Sequence, residues 1–359
     1  MKQSGSGVIE CCGSAYEIGV QYGAAAKDNI HRGLHLLARQ LSQNPFHIPA
    51  DFETAIRCAR IYLKNVQAFD PEGLNLVRGT AEGADITFDE AFALYCYTEL
   101  IFNFHILAGM CTSFAVTGPA TCGGKTILGQ NIDWHPDTPF DLVHIRHAGG
   151  LEQLSVTFFG AFCYSLTSAG LANCANLTLT LARPVTTQIP LSLYLYSAMR
   201  RPSLDEAFVV LQHAARGMGY YHLADSRGRI RGIESVSDDF TVLEPKEGVL
   251  VHANHYETGK YAEYDVAPRH IPDSFHRASR LRALIGQHYG SITPEVMMRL
   301  LADHDGHPHS VCTHVDTARP YDFAVISAAS VIMVPEERRM FISLGPPCEN
   351  NYVNYGLDP

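Results

Sequence analysis

Charge is scarce in this chain: Asp, Glu, Lys and Arg make up 18% of 359 residues, against about 25% in ordinary globular proteins. Cations are the rarer sign, with 27 Lys and Arg against 37 Asp and Glu and a formal net charge of −10 at pH 7. No basic run occurs, so neither nucleic acid nor an anionic membrane surface is an expected partner. Long apolar runs are also missing. Ala91–Met110 is interrupted by Thr98, Glu99, Asn103 and His105, and Phe323–Val334 is too short for a bilayer, so no membrane span is expected. Met1–Gly7 lacks the apolar region of a secretory signal, and Leu357-Asp358-Pro359 is no recognised address, which makes the cytoplasm the expected compartment. No Cys-x-x-Cys pair occurs, so the ten cysteines read as reduced thiols rather than a disulfide framework. Without secretion the sequon Asn176-Leu177-Thr178 is expected to stay idle. Gly-x-Ser-x-Gly, His-Glu-x-x-His and Gly-x-Gly-x-x-Gly are all absent.

What remains is a chain with 46% hydrophobic residues, enough to bury a full core in one large domain or two ordinary ones. The first 110 residues read mostly as helix, near Ser14–Leu41, Asp51–Ala68, Pro71–Ala81 and Thr87–Phe104. In the last of these Phe88, Ala91, Phe92, Tyr95, Cys96 and Leu100 recur at three- and four-residue steps. From Cys111 the texture changes to short runs rich in Val, Ile, Thr, Phe and Tyr between Gly-containing turns: Thr112–Thr117, Thr126–Ile132, Leu142–His147, Gln153–Phe159 and Cys163–Ser168. Helices at Pro190–Met199 and Ser203–Ala215 precede strands at Tyr220–Asp225, Ile230–Glu234 and Gly248–His252. Helices at Ser274–His288 and Thr293–Asp303 then lead to the closing strands Phe323–Val334 and Met340–Leu344. Helices and antiparallel strands in separate runs predict an α+β fold.

Three segments invite chemistry. Gly118–Thr126 resembles a phosphate loop, but five residues separate its first Gly from Gly124-Lys125 and a strand follows, so it reads as a hairpin turn. If that turn centres on Cys122, the flanking strands place Cys111 opposite Asp133, a thiol beside a carboxylate. A buried Cys acting as a small hydrophobe is the plainer account of Cys111 alone. His304, His307, His309 and His314 with Cys312 offer zinc-type N and S ligands. Their run contains Gly and Pro and matches no standard ligand spacing, which favours a His-rich surface loop.

Cys111-Thr112-Ser113, the turn, and Gly129-Gln130-Asn131-Ile132-Asp133-Trp134 resemble the nucleophile hairpin of the acyl-coenzyme A:6-aminopenicillanic acid acyltransferase family. Tyr16-Glu17-Ile18-Gly19 with Gly23, Arg78-Gly79-Thr80-Ala81-Glu82-Gly83 and Ala169-Gly170-Leu171 carry the likeness further. So do His252-Ala253-Asn254-His255, Pro272-Asp273-Ser274 with Arg277, Ala302-Asp303 before Ser310-Val311-Cys312, and Leu344-Gly345-Pro346-Pro347. The resemblance implies one N-terminal nucleophile hydrolase domain over 1–359, with a four-layer αββα fold and antiparallel sheets. It implies a precursor that cuts itself between Met110 and Cys111 into an α fragment (1–110) and a β fragment (111–359) that stay together as a heterodimer. Cys111 is then the nucleophile with its own amine as base, Asp133 balances that amine, Asn254 donates to the oxyanion and Asn176 contacts the reacting amide. The implied substrate is a small acyl amide or an acyl-CoA, with transfer to an amine or to water and no cofactor or metal. A metal-dependent hydrolase on the His304–His314 cluster and an uncleaved binding protein of the same fold are the competing expectations.

Overall fold

The computed structural model describes residues 7–42, 51–102, 110–178, 180, 188–213, 218–237 and 239–358. Among them are the strands β1 (Ile9–Gly13), β2 (Met110–Gly118), β3 (Gly124–Trp134), β4 (Leu142–His147), β5 (Glu152–Phe158), β6 (Ala161–Thr167) and β7 (Leu171–Asn176). There follow β8 (Met218–Asp225), β9 (Ile230–Val236), β10 (Asp239–Leu243), β11 (Val249–His252), β12 (Ile326–Val334), β13 (Arg339–Leu344) and β14 (Val353–Gly356). They form an eight-stranded sheet in the order β1-β4-β5-β6-β7-β8-β9-β10 and a six-stranded sheet in the order β11-β2-β3-β12-β13-β14. Every pairing is antiparallel except β1 with β4, which is parallel.

The two sheets pack face to face where β2 and β3 meet β7 and β8. Helices Ala15–Ala25, Leu191–Met199 and Leu204–His213 lie on the larger sheet; Asp273–Gln287 and Pro294–Leu301 lie on the smaller. The layering is helix, sheet, sheet, helix, an α+β architecture. Because β2 and β3 are sandwiched between the other sheet and a helix layer, they are buried on both faces. Their sequences therefore lack the in-out alternation of a half-exposed antiparallel strand.

Local sequence explains the helical layer. Ser14 and Glu17 form a capping box that starts Ala15–Ala25. This helix crosses Pro71–Ala84 on four glycines. A Cβ at Gly19 would stand 2.3 Å from the Leu76 carbonyl, and one at Gly79 would stand 2.1 Å from the Tyr16 carbonyl. Gly23 and Gly83 are equally tight, at 2.5 and 2.2 Å from backbone oxygens. The glycines near the start of the chain and in Arg78–Gly83 are thus one contact seen from its two sides.

The predicted helix Ser14–Leu41 is interrupted at Ala26, and a second helix runs from Lys27 to Ser42. Phe104, Ala215 and residues 1–6 lie outside the described residues. Gly118–Thr126 is the turn expected, with Gly118, Gly123 and Gly124 at φ of 57°, 77° and 75°. Its geometry shifts the hairpin by one residue. The pairing is irregular between Val116 and Gly118, so Met110 faces Asp133 and Cys111 faces Ile132. The expected opposition of Cys111 and Asp133 is corrected accordingly: Gly118 pairs with Gly124, which centres the turn on Thr121 rather than Cys122, and the irregularity then adds one unmatched residue to the ladder.

Candidate active site

One residue of register decides which face of the sheet each side chain takes. Cys111 and Ile132 share a face, whereas the Asp133 side chain takes the other. The thiol enters a cavity between the sheets, lined by Thr98, Trp134, Phe158, Cys163, Tyr164, Ala175, Asn176, Leu177, Leu191 and Leu195. Most of these are aromatic or aliphatic, so the cavity, about 10 Å³ in volume, is mainly apolar. Burial, followed by the Asp133 charge, pushes the thiol up to about 12, although the Asp133 backbone N–H donates toward the sulfur. A neutral thiol of this kind needs a base before it can attack.

Behind the strand, Asp133 is fully buried and accepts from Ser327 Oγ at 2.6 Å and Thr313 Oγ1 at 3.3 Å. Arg277 Nη1 lies 3.9 Å from its carboxylate. Burial outweighs that cation and raises the carboxyl to about 6.

Asn254 follows β11, and its place is set from several sides. Its backbone N–H donates to Ser274 Oγ at 2.8 Å and its Nδ2 to the Leu177 carbonyl at 2.7 Å. Its Oδ1 accepts from the Cys111 N–H and from Arg277 Nη2, each at 2.9 Å. The side chain is therefore oriented with its oxygen on the Cys111 nitrogen. Asn176 closes the group from β7: Nδ2 donates to the His252 carbonyl at 3.3 Å, while buried Oδ1 has no hydrogen-bond partner among the described residues. The nitrogen of the sequon is thus turned inward rather than to solvent. His252 is itself held by buried Glu234, at 3.0 Å from Nε2, which anchors the strand end that leads to Asn254.

The structure brings Cys111, Asn176, Asn254 and, through its backbone, Asp133 to one place. Arg277 is the member that sequence reasoning noticed only as part of a motif. It is fully buried and donates to the Cys111 carbonyl at 2.7 Å, to Thr112 Oγ1 at 2.6 Å and to Asp273 at 2.9 Å. A signal was available: Ser274, Arg277, Ala278, Leu281, Leu284 and Ile285 form the buried stripe of one helix. A cation on such a stripe calls for a partner.

The His-rich segment is arranged differently from the ligand set the sequence suggested. His309 turns to Asp316, 3.3 Å away, whereas His304, Cys312 and His314 are joined by Cys348 from a distant turn.

Residues 121–347 match the family model of acyl-coenzyme A:6-aminopenicillanic acid acyl-transferase. The chain belongs to this family. Asp133, Asn176, Asn254 and Arg277 fall within the matched span, and Cys111 stands just ahead of it. The 40 kDa form of acyl-coenzyme A:6-aminopenicillanic-acid acyltransferase from Emericella nidulans is 25% identical over 312 residues, covering 85% of this chain and 84% of the relative. Solved structures with a similar course include a mutant of conjugated bile acid hydrolase from Clostridium perfringens, with 12% identity, TM-score 0.45, and coverage of 69% of this chain and 97% of that one. Penicillin V acylase from Agrobacterium tumefaciens has 11% identity, TM-score 0.41, and coverage of 65% and 83%. As a member of this acyltransferase family, the protein is an enzyme of acyl transfer. No helix among the described residues is long and apolar enough to cross a membrane.

Proposed function

We propose that the protein is an autoprocessed cysteine acyltransferase or amidohydrolase whose mature nucleophile is an N-terminal Cys111. The observation that carries the reading is the handling of this one residue: its N–H is held by Asn254, its carbonyl by Arg277, and its thiol enters an apolar cavity beside the unpartnered Asn176 Oδ1. Cleavage after Met110 frees an α-amine with a pKa of about 7.7–8.0. That amine accepts the proton a buried thiol cannot shed alone. Fragments 1–110 and 111–359 then remain packed as a heterodimer.

In the acylation step the Cys111 sulfur bonds to the substrate carbonyl carbon as the thiol proton passes to the amine. The oxygen takes the negative charge and is met by an Asn254 N–H. The carbon–nitrogen or carbon–thiolate bond then breaks, and the leaving group departs with the proton. A thioester remains on Cys111. Water or an amine attacks it, loses a proton to the same α-amine and regenerates the thiol. Asn176 Oδ1 accepts the N–H of the amide being cleaved. Asp133 acts through the strand, as a negative charge behind the new amine. The chemistry draws only on groups of the chain itself. The substrate class is a small acyl amide or an acyl-CoA, since the cavity walls are apolar and the curated relative is named for such a transfer.

Intact mass measurement of purified protein tests this reading. Wild type resolves into two fragments that begin at Met1 and Cys111, and Cys111→Ala gives one mass and no turnover. Active wild-type enzyme that persists as a single chain would falsify the proposal and return the uncleaved readings.

A further inference from the structure

Away from the cavity, three separate segments bring four metal-type ligands together. His304 follows helix Pro294–Leu301, Cys312 and His314 lie two residues apart before β12, and Cys348 lies in the turn after β13. All four ligand atoms lie within 4.8 Å of one another. The individual spacings are more telling. Cys312 Sγ and Cys348 Sγ are 3.6 Å apart, and His304 Nε2 and His314 Nε2 are 3.0 Å apart. His314 Nε2 lies 3.6 Å from Cys312 Sγ and 3.4 Å from Cys348 Sγ.

Zinc bonds sulfur at about 2.3 Å and imidazole nitrogen at about 2.0–2.1 Å in a tetrahedron. The edges of that tetrahedron are then about 3.7 Å between two sulfurs, about 3.5 Å between sulfur and nitrogen, and about 3.3 Å between two nitrogens. The four observed spacings follow these edges to within about 0.3 Å. A disulfide does not account for them, since its sulfurs lie about 2.05 Å apart. The surroundings are those of a supported site. His314 presents its other nitrogen, Nδ1, to Glu349 at 3.6 Å. The Cys312 N–H donates to the Asp303 carbonyl at 3.0 Å, and Asp303 is gripped by Arg280 at 2.7 and 3.0 Å.

We propose that His304, Cys312, His314 and Cys348 bind one zinc ion that fastens the segment around Thr313 to the C-terminal turn. Four protein ligands complete a tetrahedron and leave no position for a reacting water, so the ion is structural. Its placement has a purpose. Thr313 stands between two of the ligands and donates to Asp133, while the neighbouring Val311 carbonyl accepts from Asn131 at 2.8 Å. The metal therefore holds the wall behind the nucleophile hairpin. The sequence offered three of these ligands, His304, Cys312 and His314, but not the fourth, because Cys348 is far along the chain from its partners and the spacing Cys-x-His is not a familiar ligand pair.

The test is metal analysis of full-length protein purified without chelator and under reducing conditions, followed by zinc titration of protein stripped with a strong chelator. About one zinc per chain is expected in wild type and in Cys111→Ala, falling below about a tenth in Cys348→Ser and in His304→Ala. His307→Ala and His309→Ala retain the full equivalent. Cobalt replacing the zinc gives the visible bands of a tetrahedral thiolate site, lost in Cys348→Ser. Restoring zinc raises the thermal midpoint of stripped Cys111→Ala protein, a readout independent of turnover and processing. Absence of stoichiometric zinc both before and after titration, unchanged zinc in Cys348→Ser, loss of zinc in Cys111→Ala, or a Cys312–Cys348 disulfide in the reduced preparation each overturns the site.

Discussion

The guanidinium of Arg277 donates to the carbonyl oxygen of Cys111 across 2.7 Å. It reaches that oxygen from helix Asp273–Gln287, behind the sheet, so the peptide following Cys111 is clamped from the side opposite the cavity. The same guanidinium meets Thr112, Asn254 and Asp273.

Arg277→Lys is expected to keep the charge and lose the fork, because one ammonium cannot span these acceptors. The fraction of chain cleaved over time should lag wild type while the far-UV spectrum is unchanged. Arg277→Ala goes further and leaves buried Asp133 without its cation, a loss of about 3–5 kcal/mol. Cleavage kinetics beside denaturant unfolding separate the two effects, and wild-type cleavage by Arg277→Lys would show that the clamp is only a structural contact.

Asp133 gives a pH-dependent prediction. Its native carboxyl titrates at about 6, whereas an unfolded Asp titrates near 3.9. Between about pH 4 and 6 the native state keeps a proton that the unfolded state has lost, so stability falls as pH rises through that window. The loss is on the order of 2–3 kcal/mol and is complete above it. Asp133→Asn on the Cys111→Ala background should lack this component, giving a smaller gap between its unfolding free energies at pH 4 and pH 7. Parallel curves for the two proteins would contradict the buried carboxyl's role.

Asn254→Ala removes both the acceptor for the Cys111 nitrogen and the N–H assigned to the oxyanion. Loss of an oxyanion donor lowers kcat by on the order of 10²–10³, against about 1 kcal/mol of stability for an ordinary hydrogen bond. Steady-state kinetics of the cleaved variant, beside its thermal midpoint, decide between them. A near-native kcat with a lowered midpoint would make Asn254 structural.

Two glycine substitutions should act in opposite directions. Gly79→Ala places a methyl 2.1 Å from the Tyr16 carbonyl and forces two helices apart, with an expected loss of about 1–3 kcal/mol or more. Gly286→Ala, in helix Asp273–Gln287 with nothing within 4 Å of the new carbon, should gain about 0.5–1 kcal/mol. Thermal midpoints of both variants check the contrast.

The helices and central strands were legible because their burial leaves a mark in composition. Strands β1, β10 and β14 were not. Each lies at the edge of its sheet and has only four or five residues, and no residue of β10 or β14 is fully buried. Little of the apolar patterning that marks a strand is needed there. Cys111, Asn176 and Asn254 were legible through resemblance, and their convergence required the fold. The side of the sheet taken by Asp133 was hidden in the irregularity at Val116/Gly118, since hairpin pairing counted from a turn assumes an unbroken ladder. Arg277 was present on its stripe but was read as a motif letter rather than as a buried charge.

Placing the Cys111 thiol on β2 and the Asp133 carboxylate on β3 on opposite faces of one sheet divides the labour of the site in space. Walls of the cavity, such as Phe158, Leu191 and Leu195, can be exchanged without touching the groups that hold the Cys111 backbone and its charge environment. Under the proposed mechanism, a scaffold organised in this way can diversify toward new acyl groups while the groups that serve self-cleavage stay constant. Substitutions that alter substrate preference and substitutions that alter self-cleavage should therefore map to the two sides of β2 and β3.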